Sequence, residues 1–225
     1  MVLPFWQRGS ILKANLQQLK KLYSDLNALE IIIVDDGSPE PAVIDDYYPW
    51  PVSVIRMPPK THALNPCVPI NLGVARAMGD KIVLTNPEVI HRTPILQYMA
   101  SALDCLQDGY VAAACQASNG TWYCHSRLMK SDKEMGRAPS PRGAGLHFCA
   151  MLSKELFESV GGFSEDYRDG QGYDDNDFLW RLNDAGASFR IMDNCVTDHV
   201  DCERCVWPKG GHARNKQIFE SRWQI

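Results

Sequence analysis

A short apolar run followed at once by two carboxylates is the feature that most constrains this chain. Residues 30–38 read Glu-Ile-Ile-Ile-Val-Asp-Asp-Gly-Ser. Four β-favouring apolar residues in a row predict a strand buried on both faces, as in the parallel sheets of α/β proteins. Asp35 and Asp36 then fall at the carboxyl end of that strand, where open α/β sheets bind ligands. An Asp-Gly turn is also common where a core strand ends, so the run alone is compatible with both a ligand site and an ordinary turn.

Size and composition favour one ordinary globular domain. The chain has 225 residues, of which 45% are hydrophobic and 22% charged. A net charge of -4 gives no general attraction for nucleic acid or anionic membranes. No apolar run approaches the roughly 20 residues that span a bilayer, and the N-terminus lacks the pattern of a secretory signal. The eight cysteines are therefore expected to be reduced thiols in a cytoplasmic protein.

Periodicity along the chain predicts alternating strands and helices. A strand over residues 1–5, a helix over 10–27 capped by Ser10, and a strand over 30–34 imply a parallel crossover. Further strands are predicted at 52–57, 81–85, 111–115 and 146–152. Further helices are predicted to end near residue 78, to begin at Thr93-Pro94, to follow a Ser153 cap, and to span 174–184. The pattern predicts an α/β fold in which helices flank a mostly parallel central sheet, as a single domain over residues 1–225.

Three acidic clusters could carry chemistry. They are Asp35-Asp36, the Asn86-Pro87-Glu88 turn, and the run at residues 174–177. The first two follow predicted strands, so we expect them at the same edge of the sheet. The third opens a helix, where helix capping by Asp174 is the simpler explanation. If the three clusters converge, they suit a divalent cation with a phosphate ligand and leave one carboxylate as a base.

The motifs and their order resemble family-two glycosyltransferases with the GT-A fold. Residues 34–38, Val-Asp-Asp-Gly-Ser, resemble that family's nucleotide-binding signature. Residues 71–79, followed by a strand and then by residues 86–88, are similar to its approach to the metal motif. Residues 161–165 and 172–182 resemble its acceptor-side signature, most closely the galactosyltransferase-like version. The resemblance implies a nucleotide-binding half, about 1–115, and an acceptor-binding half, about 116–225.

The resemblance also implies a reaction and a role for each matching residue. A sugar would pass from a nucleotide-diphosphate donor, with UDP as the expected carrier, to an acceptor hydroxyl with inversion. Asp175 would be the general base, and Glu88 and His199 would ligate Mn²⁺ or Mg²⁺. The nucleotide would contact Pro4, Phe5, Asp35, Asp36 and Asn86, and the acceptor would contact Trp122, Gly162 and Asp174.

Two departures from the family pattern weaken parts of this assignment. Asn86 replaces the first aspartate of the Asp-x-Asp motif, which leaves the metal site with less negative charge. Asp174 stands where glutamate is usual, one methylene shorter. Both departures favour an alternative in which the chain is a non-catalytic nucleotide-sugar or glycan-binding module. Asp175 and His199 favour an enzyme.

Two other groups of residues leave alternatives open. A structural zinc site could be formed by Cys195, His199, Cys202, Cys205 and His212, although core cysteines are the simpler explanation. Residues 116–145 predict a long loop or irregular hairpin. It carries Trp122, Tyr123 and the basic residues Arg127, Lys130, Lys133, Arg137 and Arg142. This loop is either a solvated surface or a lid over the acceptor, which would be a glycan or a hydroxymethylated DNA base. A basic C-terminal group could close over the diphosphate or keep a terminal helix soluble; it comprises Lys209, His212, Arg214 and Lys216.

Overall fold

The computed structural model describes residues 1–128, 146–202 and 209–225. The described strands form one sheet: β1 (Val2–Phe5), β2 (Ile31–Asp35), β3 (Val52–Arg56), β4 (Lys81–Thr85), β5 (Val89–His91), β6 (Gly109–Ala117), β7 (Trp122–Cys124), β8 (Cys149–Ser153) and β9 (Ser188–His199). The described α-helices are α1 (Gly9–Tyr23), α2 (Cys67–Arg76), α3 (Leu96–Asp104), α4 (Lys154–Ser159), α5 (Asp174–Asp184) and α6 (Gly211–Trp223).

The N-terminal half of the sheet is parallel, as the sequence predicts. β1 lies between β2 and β4 and is parallel to both. β3 extends the sheet beyond β2, again in parallel. Every residue of β2 is buried, which explains its uninterrupted apolar sequence. In the β1–β2 register Phe5 is the partner of Asp35, so the two strands end level with each other. The carboxyl ends of β1, β2 and β4 therefore share one edge.

The C-terminal half of the sheet is mixed. β8 is antiparallel to both β4 and β6, whereas β6 and β9 are parallel. β5 pairs with β9 and β7 pairs with β6, both antiparallel. The strand order is β3-β2-β1-β4-β8-β6-β9-β5, with β7 attached to β6. One hydrophobic cluster extends from β1 and α1 to β9, so a shared core joins the two halves.

Two predicted helix starts were wrong. α1 begins at Gly9, and Ser10 is its second residue rather than its cap. The chain turns earlier because Gln7 has a positive φ of 51° and its N–H donates to Ser38 Oγ. α3 begins at Leu96, after the predicted Thr93-Pro94 start. The Ile95 N–H there donates to Tyr23 Oη at 2.9 Å, which holds the chain in a non-helical path up to that residue.

Three strands have no clear signal in the sequence. β5 has only three residues, and β7 lies inside the predicted loop. β9 mixes polar and apolar residues and is mostly half-buried, but it pairs with β6 at nine register positions. The structure thus includes strands that depend on pairing with β6 or β9 more than on their own composition. Residues 129–145, which carry the rest of the predicted loop, lie outside the described ranges.

The helices α4 and α5 begin where the sequence predicts. Ser153 Oγ accepts a hydrogen bond from the Leu156 N–H at 3.0 Å, which caps α4. α5 spans Asp174–Asp184 as predicted. α6 packs on it through a small aromatic cluster of Tyr167, Trp180 and Phe219. Among the helices that the structure describes, none is both long and apolar enough to cross a bilayer.

Candidate active site

Asp35 holds the turn that follows β2. Its side chain is fully buried. Oδ1 accepts from the Ser38 N–H at 2.8 Å, and Oδ2 accepts from the Ala42 N–H at 3.0 Å and from Arg56 Nη1 at 2.7 Å. These three donors satisfy a carboxylate that would otherwise be costly to bury. Asp35 therefore fixes the shape of the turn, and Asp36 is the carboxylate left to face a ligand.

Asp36 sits at the sheet edge beside a lysine from the next loop. Lys60 Nζ lies 2.5 Å from Asp36 Oδ1. Burial raises the pKa of Asp36, and the hydrogen bond from Lys60 offsets part of that rise. Gly37 is required for this close approach, because its φ is +80° and an added Cβ would lie 2.0 Å from the Pro58 carbonyl oxygen. The turn and residues 58–60 thus form one tightly fitted unit.

The Asn86-Pro87-Glu88 turn is held in place by a buried asparagine on α1. Asn15 is 1% exposed, and its Nδ2 donates to the carbonyl oxygens of Pro87 at 2.7 Å and Val89 at 3.0 Å. A longer contact of 3.4 Å reaches the Asn86 carbonyl. Because α1 follows β1, this bond fixes the turn after β4 relative to the end of β1, which lies level with Asp35 at the end of β2. The two predicted acidic clusters therefore share one edge, as expected.

Glu88 has the properties of a cation ligand. It is 6% exposed, and its Oε1 lies 2.5 Å from Arg8 Nη1 and 3.9 Å from His199 Nε2. Its Oε2 is buried and has no hydrogen-bond partner among the residues that the structure describes. A buried carboxylate oxygen without a donor, next to an imidazole, fits a divalent cation such as Mn²⁺ or Mg²⁺. Across the described ranges no three Asp, Glu, His or Cys side chains converge on a metal position.

Aromatic rings surround His199 at the end of β9. Tyr123 lies edge-on to the imidazole, with ring centroids 5.4 Å apart, and Phe148 does the same at 5.8 Å. Tyr123 and Phe148 also stack on each other at 5.4 Å. Tyr123 remains 39% exposed, whereas Trp122 is half-buried against His125. Of the two adjacent aromatics, Tyr123 offers the more accessible ring beside the candidate metal ligand.

Asp174 and Asp175 open α5 at the same edge. Asp174 is 5% exposed and accepts from Asn65 Nδ2 at 2.7 Å. Burial, reinforced by the charge of Asp175, raises the pKa of Asp174 to about 6. Burial also raises the pKa of Asp175, whose Oδ1 accepts a hydrogen bond from the adjacent Asn176 N–H at 2.8 Å. Asp175 is half-buried, so of the two carboxylates it is the one more open to a substrate.

His147 and Phe148 connect the two sides of the site. Phe148 contacts His199, while the His147 ring packs edge-on against Phe163 at 4.9 Å. Burial lowers the pKa of His147, and the nearby Asp174 carboxylate offsets part of that change. Its Nδ1 is buried without a hydrogen-bond partner in the structure. His147 therefore lies near the α5 carboxylates, and the adjacent Phe148 lies near His199 and Glu88.

Most of the other predicted site residues lie in the core or in turns. Phe5 is 2% exposed and belongs to the core, while Pro4 beside it is half-buried. Gly162 has a φ of +64°, and its carbonyl accepts from Arg181 Nη1 at 2.7 Å. Cys195 is buried in the core, and Cys205 of the zinc alternative lies outside the described residues.

Four polar residues at this site were missed by the sequence analysis: Arg8, Lys60, Asn65 and His147. Arg8 follows β1 by three residues, and Lys60 and Asn65 follow β3, so their positions after predicted strands were a usable signal. His147 has no comparable signal, because its importance comes from contacts made across the fold.

Solved structures with a similar fold include proteins bound to nucleotide sugars. A mannosyltransferase from Pyrobaculum calidifontis, in complex with GDP-Man and Mn²⁺, superposes with a TM-score of 0.60 at 16% identity, over 96% of this chain and 60% of that one. TarS 1-349 from S. aureus, in complex with UDP-GlcNAc, gives a TM-score of 0.65 at 13% identity, over 90% of this chain and 58% of that one. The fold is therefore GT-A, a single mixed α/β domain, as the resemblance implies.

Sequence comparisons identify the family. The model described as glycosyl transferase family 2 matches residues 1–161, and the model described as the N-terminal domain of galactosyltransferase matches residues 126–203. The chain belongs to glycosyl transferase family 2.

Two curated relatives agree with this assignment. The pre-mycofactocin glycosyltransferase of Mycobacterium tuberculosis is 26% identical over 200 residues, which is 82% of this chain and 40% of that protein. An uncharacterized glycosyltransferase of Haemophilus influenzae is 26% identical over 196 residues, which is 81% of this chain and 60% of that protein. This chain thus spans about half the length of these relatives.

Proposed function

We propose that this chain transfers a sugar from a nucleotide-diphosphate donor, with UDP as carrier, to an acceptor hydroxyl with inversion. The main support is the bond between Asn65 and Asp174, which brings the α5 carboxylates to the edge where β2 ends. Burial raises the pKa of the Cys67 thiol, and the negative charges of Asp174 and Asp36 raise it further. Both carboxylates therefore lie near this one thiol. The nucleotide turn and the candidate base thus border one region.

Different residues of this region bind different parts of the donor. Asp36 binds the nucleotide base or ribose, and the turn fixed by Asp35 holds it in position. Pro4 and Asn86 contact the same nucleotide. Glu88 and His199 hold a divalent cation together with the diphosphate oxygens, since Mn²⁺ and Mg²⁺ are commonly bound by few protein groups plus substrate phosphates. When bound, that cation would neutralise charge on the departing nucleoside diphosphate.

Asp175 does the proton chemistry. Its carboxylate accepts the proton of the acceptor hydroxyl while the oxygen forms a bond to the anomeric carbon. The bond from that carbon to the diphosphate oxygen breaks on the opposite face, and the electron pair leaves with the nucleotide. The raised pKa of Asp175 makes it a stronger base than an exposed carboxylate. Asp174 and Gly162 border the acceptor.

The acceptor is a glycan hydroxyl. The exposed Tyr123 ring, backed by Phe148, offers an apolar face on which a sugar ring can stack. Trp122, the adjacent residue of β7, is the second aromatic proposed to contact the acceptor. A hydroxymethylated DNA base could stack there too, but the net charge of -4 gives no general attraction for DNA.

A thermal-shift panel tests the donor. UDP-sugars and GDP-sugars are compared with and without Mn²⁺, and we expect a UDP-sugar to raise the melting temperature most, with the shift reduced when the metal is omitted. If no nucleotide sugar changes the melting temperature, the proposal fails.

Replacing the base separates an enzyme from a binding module. Asp175→Asn should lower transfer by about 10²-fold or more while nucleotide binding persists. Asp184→Asn is the matched control, because Asp184 is an exposed carboxylate at the far end of the same helix. A wild-type protein that binds the donor but transfers to neither a glycan nor a hydroxymethylated DNA acceptor would favour the binding module.

A further inference from the structure

Arg8 forms an ion pair with the carboxylate oxygen of Glu88 that lies nearest His199. The guanidinium Nη1 lies 2.5 Å from Oε1, the same oxygen that is 3.9 Å from His199 Nε2. Both partners are largely removed from water, with 20% of the Arg8 side chain and 8% of the Glu88 side chain exposed. Arg8 is therefore the internal counter-ion of the candidate metal ligand.

A divalent cation at Glu88 and His199 would meet that counter-ion. Like charges a few ångströms apart repel, and the repulsion is strong in a partly buried site where water screens poorly. Arg8 and the cation therefore compete for one carboxylate. Asn86 supplies no charge that could compensate, because an amide stands where the family has an aspartate. The free protein should consequently bind the cation weakly.

A diphosphate offers Arg8 a different partner. Arg8 lies three residues beyond β1, at the edge where β2 ends at Asp35. The planar guanidinium fork binds phosphate oxygens as well as carboxylate oxygens. We propose that Arg8 is exchanged from Glu88 to the diphosphate when a nucleotide binds, so that the nucleotide and the divalent cation bind cooperatively. This inference rests on the proposed function, and it names the residue that couples the two ligands.

Direct cation binding tests the exchange. Free Mn²⁺ is measured by electron paramagnetic resonance with the wild-type chain, alone and with saturating UDP or GDP. We expect at least one of the two nucleotides to tighten Mn²⁺ binding about tenfold or more, a usual size for coupling between two sites. Equal Mn²⁺ affinity with and without both nucleotides would overturn the inference.

Variants of Arg8 test the residue itself. Arg8→Gln should tighten Mn²⁺ binding to the nucleotide-free protein severalfold and reduce the coupling, leaving only the part that direct ligation by the diphosphate supplies. Arg8→Lys keeps the positive charge, so its nucleotide-free Mn²⁺ affinity should stay near the wild-type value. Arg92→Gln is the matched charge control, because Arg92 pairs with Asp198 next to His199 in the sequence but not with Glu88.

The outcomes separate this inference from the proposed function. If Arg8→Gln binds Mn²⁺ no more tightly than wild type, or if Arg92→Gln gives the same gain, Arg8 is not the exchanged group. Donor binding and transfer by the wild-type chain would still support the glycosyltransferase. If the wild-type chain binds no nucleotide, with or without Mn²⁺, the proposed function fails as well.

Discussion

Asn65 Nδ2 donates a hydrogen bond of 2.7 Å to Asp174 Oδ1, and this bond joins residues 109 positions apart in the chain. Asn65 lies in the loop after β3, in the N-terminal half of the chain, and Asp174 opens α5 in the C-terminal half. Asn65 Oδ1 also accepts from the Cys67 N–H at 3.0 Å, so the asparagine is fixed by α2 before it reaches the carboxylate. One amide therefore connects the start of α2 to the start of the helix that carries the candidate base.

The raised pKa of Asp174 predicts a pH-dependent cost of folding. In the folded protein the pKa of Asp174 is about 6, whereas in the unfolded chain it is near the ordinary aspartate value of 3.8. The folded state therefore loses stability as pH rises through this window. Asp174→Asn removes the ionisation, so its stability relative to wild type should rise by about 1–3 kcal/mol from pH 4 to pH 7.

Urea unfolding at several pH values measures this difference. Asp175 and His147 titrate next to Asp174, so the comparison uses variant minus wild type rather than either curve alone. The exposed Asp184→Asn should give a flat difference. A flat curve for Asp174→Asn as well would show that Asp174 ionises normally in the folded protein.

Gly37 is predicted to be irreplaceable for steric reasons. Gly37→Ala must accept a φ of +80° and a Cβ 2.0 Å from a carbonyl oxygen. We expect a loss of about 3 kcal/mol or more in the free energy of unfolding. Gly186→Ala is the matched control, because its φ is +84° but nothing lies within 4 Å of the added Cβ. It should cost only about 1 kcal/mol, and equal losses for the two variants would contradict the close packing of the turn against Pro58.

Tyr123 is predicted to bind the acceptor and not the donor. Under the proposed function, Tyr123→Ala should raise the KM for a glycan acceptor about tenfold, because the stacking face is lost. Tyr123→Phe keeps the ring and should stay close to wild type. Nucleotide binding, followed by thermal shift, should be unchanged in both. A loss confined to nucleotide binding would place Tyr123 on the donor side instead.

Asp177 is predicted to hold α6 against α5. This fully buried carboxylate accepts from Arg181 Nε at 2.8 Å, Arg222 Nη1 at 3.0 Å and Trp223 Nε1 at 3.1 Å. Asp177→Ala leaves these donors without their shared acceptor, so we expect a loss of about 2–4 kcal/mol. Asp184→Ala removes an exposed carboxylate from the same helix and should change stability by less than about 0.5 kcal/mol.

Hydrogen exchange locates that effect. Amides of α6 should exchange faster in Asp177→Ala, while those of β2 should change less, since β2 belongs to the main core. Uniform acceleration over the whole chain would mean that α6 unfolds only together with the core.

The elements that could be predicted from the sequence are those with a clear pattern in a short stretch of residues. β2 and β4 are runs of buried residues, and α5 opens with three acidic residues, so each is recognisable from a short window. β9 is not, because its half-buried residues become a strand through pairing with β6. The start of α3 was wrong for a related reason: Tyr23, distant in sequence, fixes the chain at Ile95.

The sequence by itself determined the order of the strands and helices from β1 to β4, the turn after β2, the acidic start of α5 and the family to which the motifs belong. These features are set by short-range patterns and by residue types at fixed spacing. Only the tertiary structure decided that the carboxylate of Asp35 is fully hydrogen-bonded within the turn and to Arg56. It also decided that Arg8 pairs with Glu88. The positions of Asn65 and His147 beside Asp174 were likewise set by the tertiary structure. Such relationships arise when side chains far apart in the chain are buried together, and each must then satisfy its charge or hydrogen bonds with whichever neighbour the fold provides.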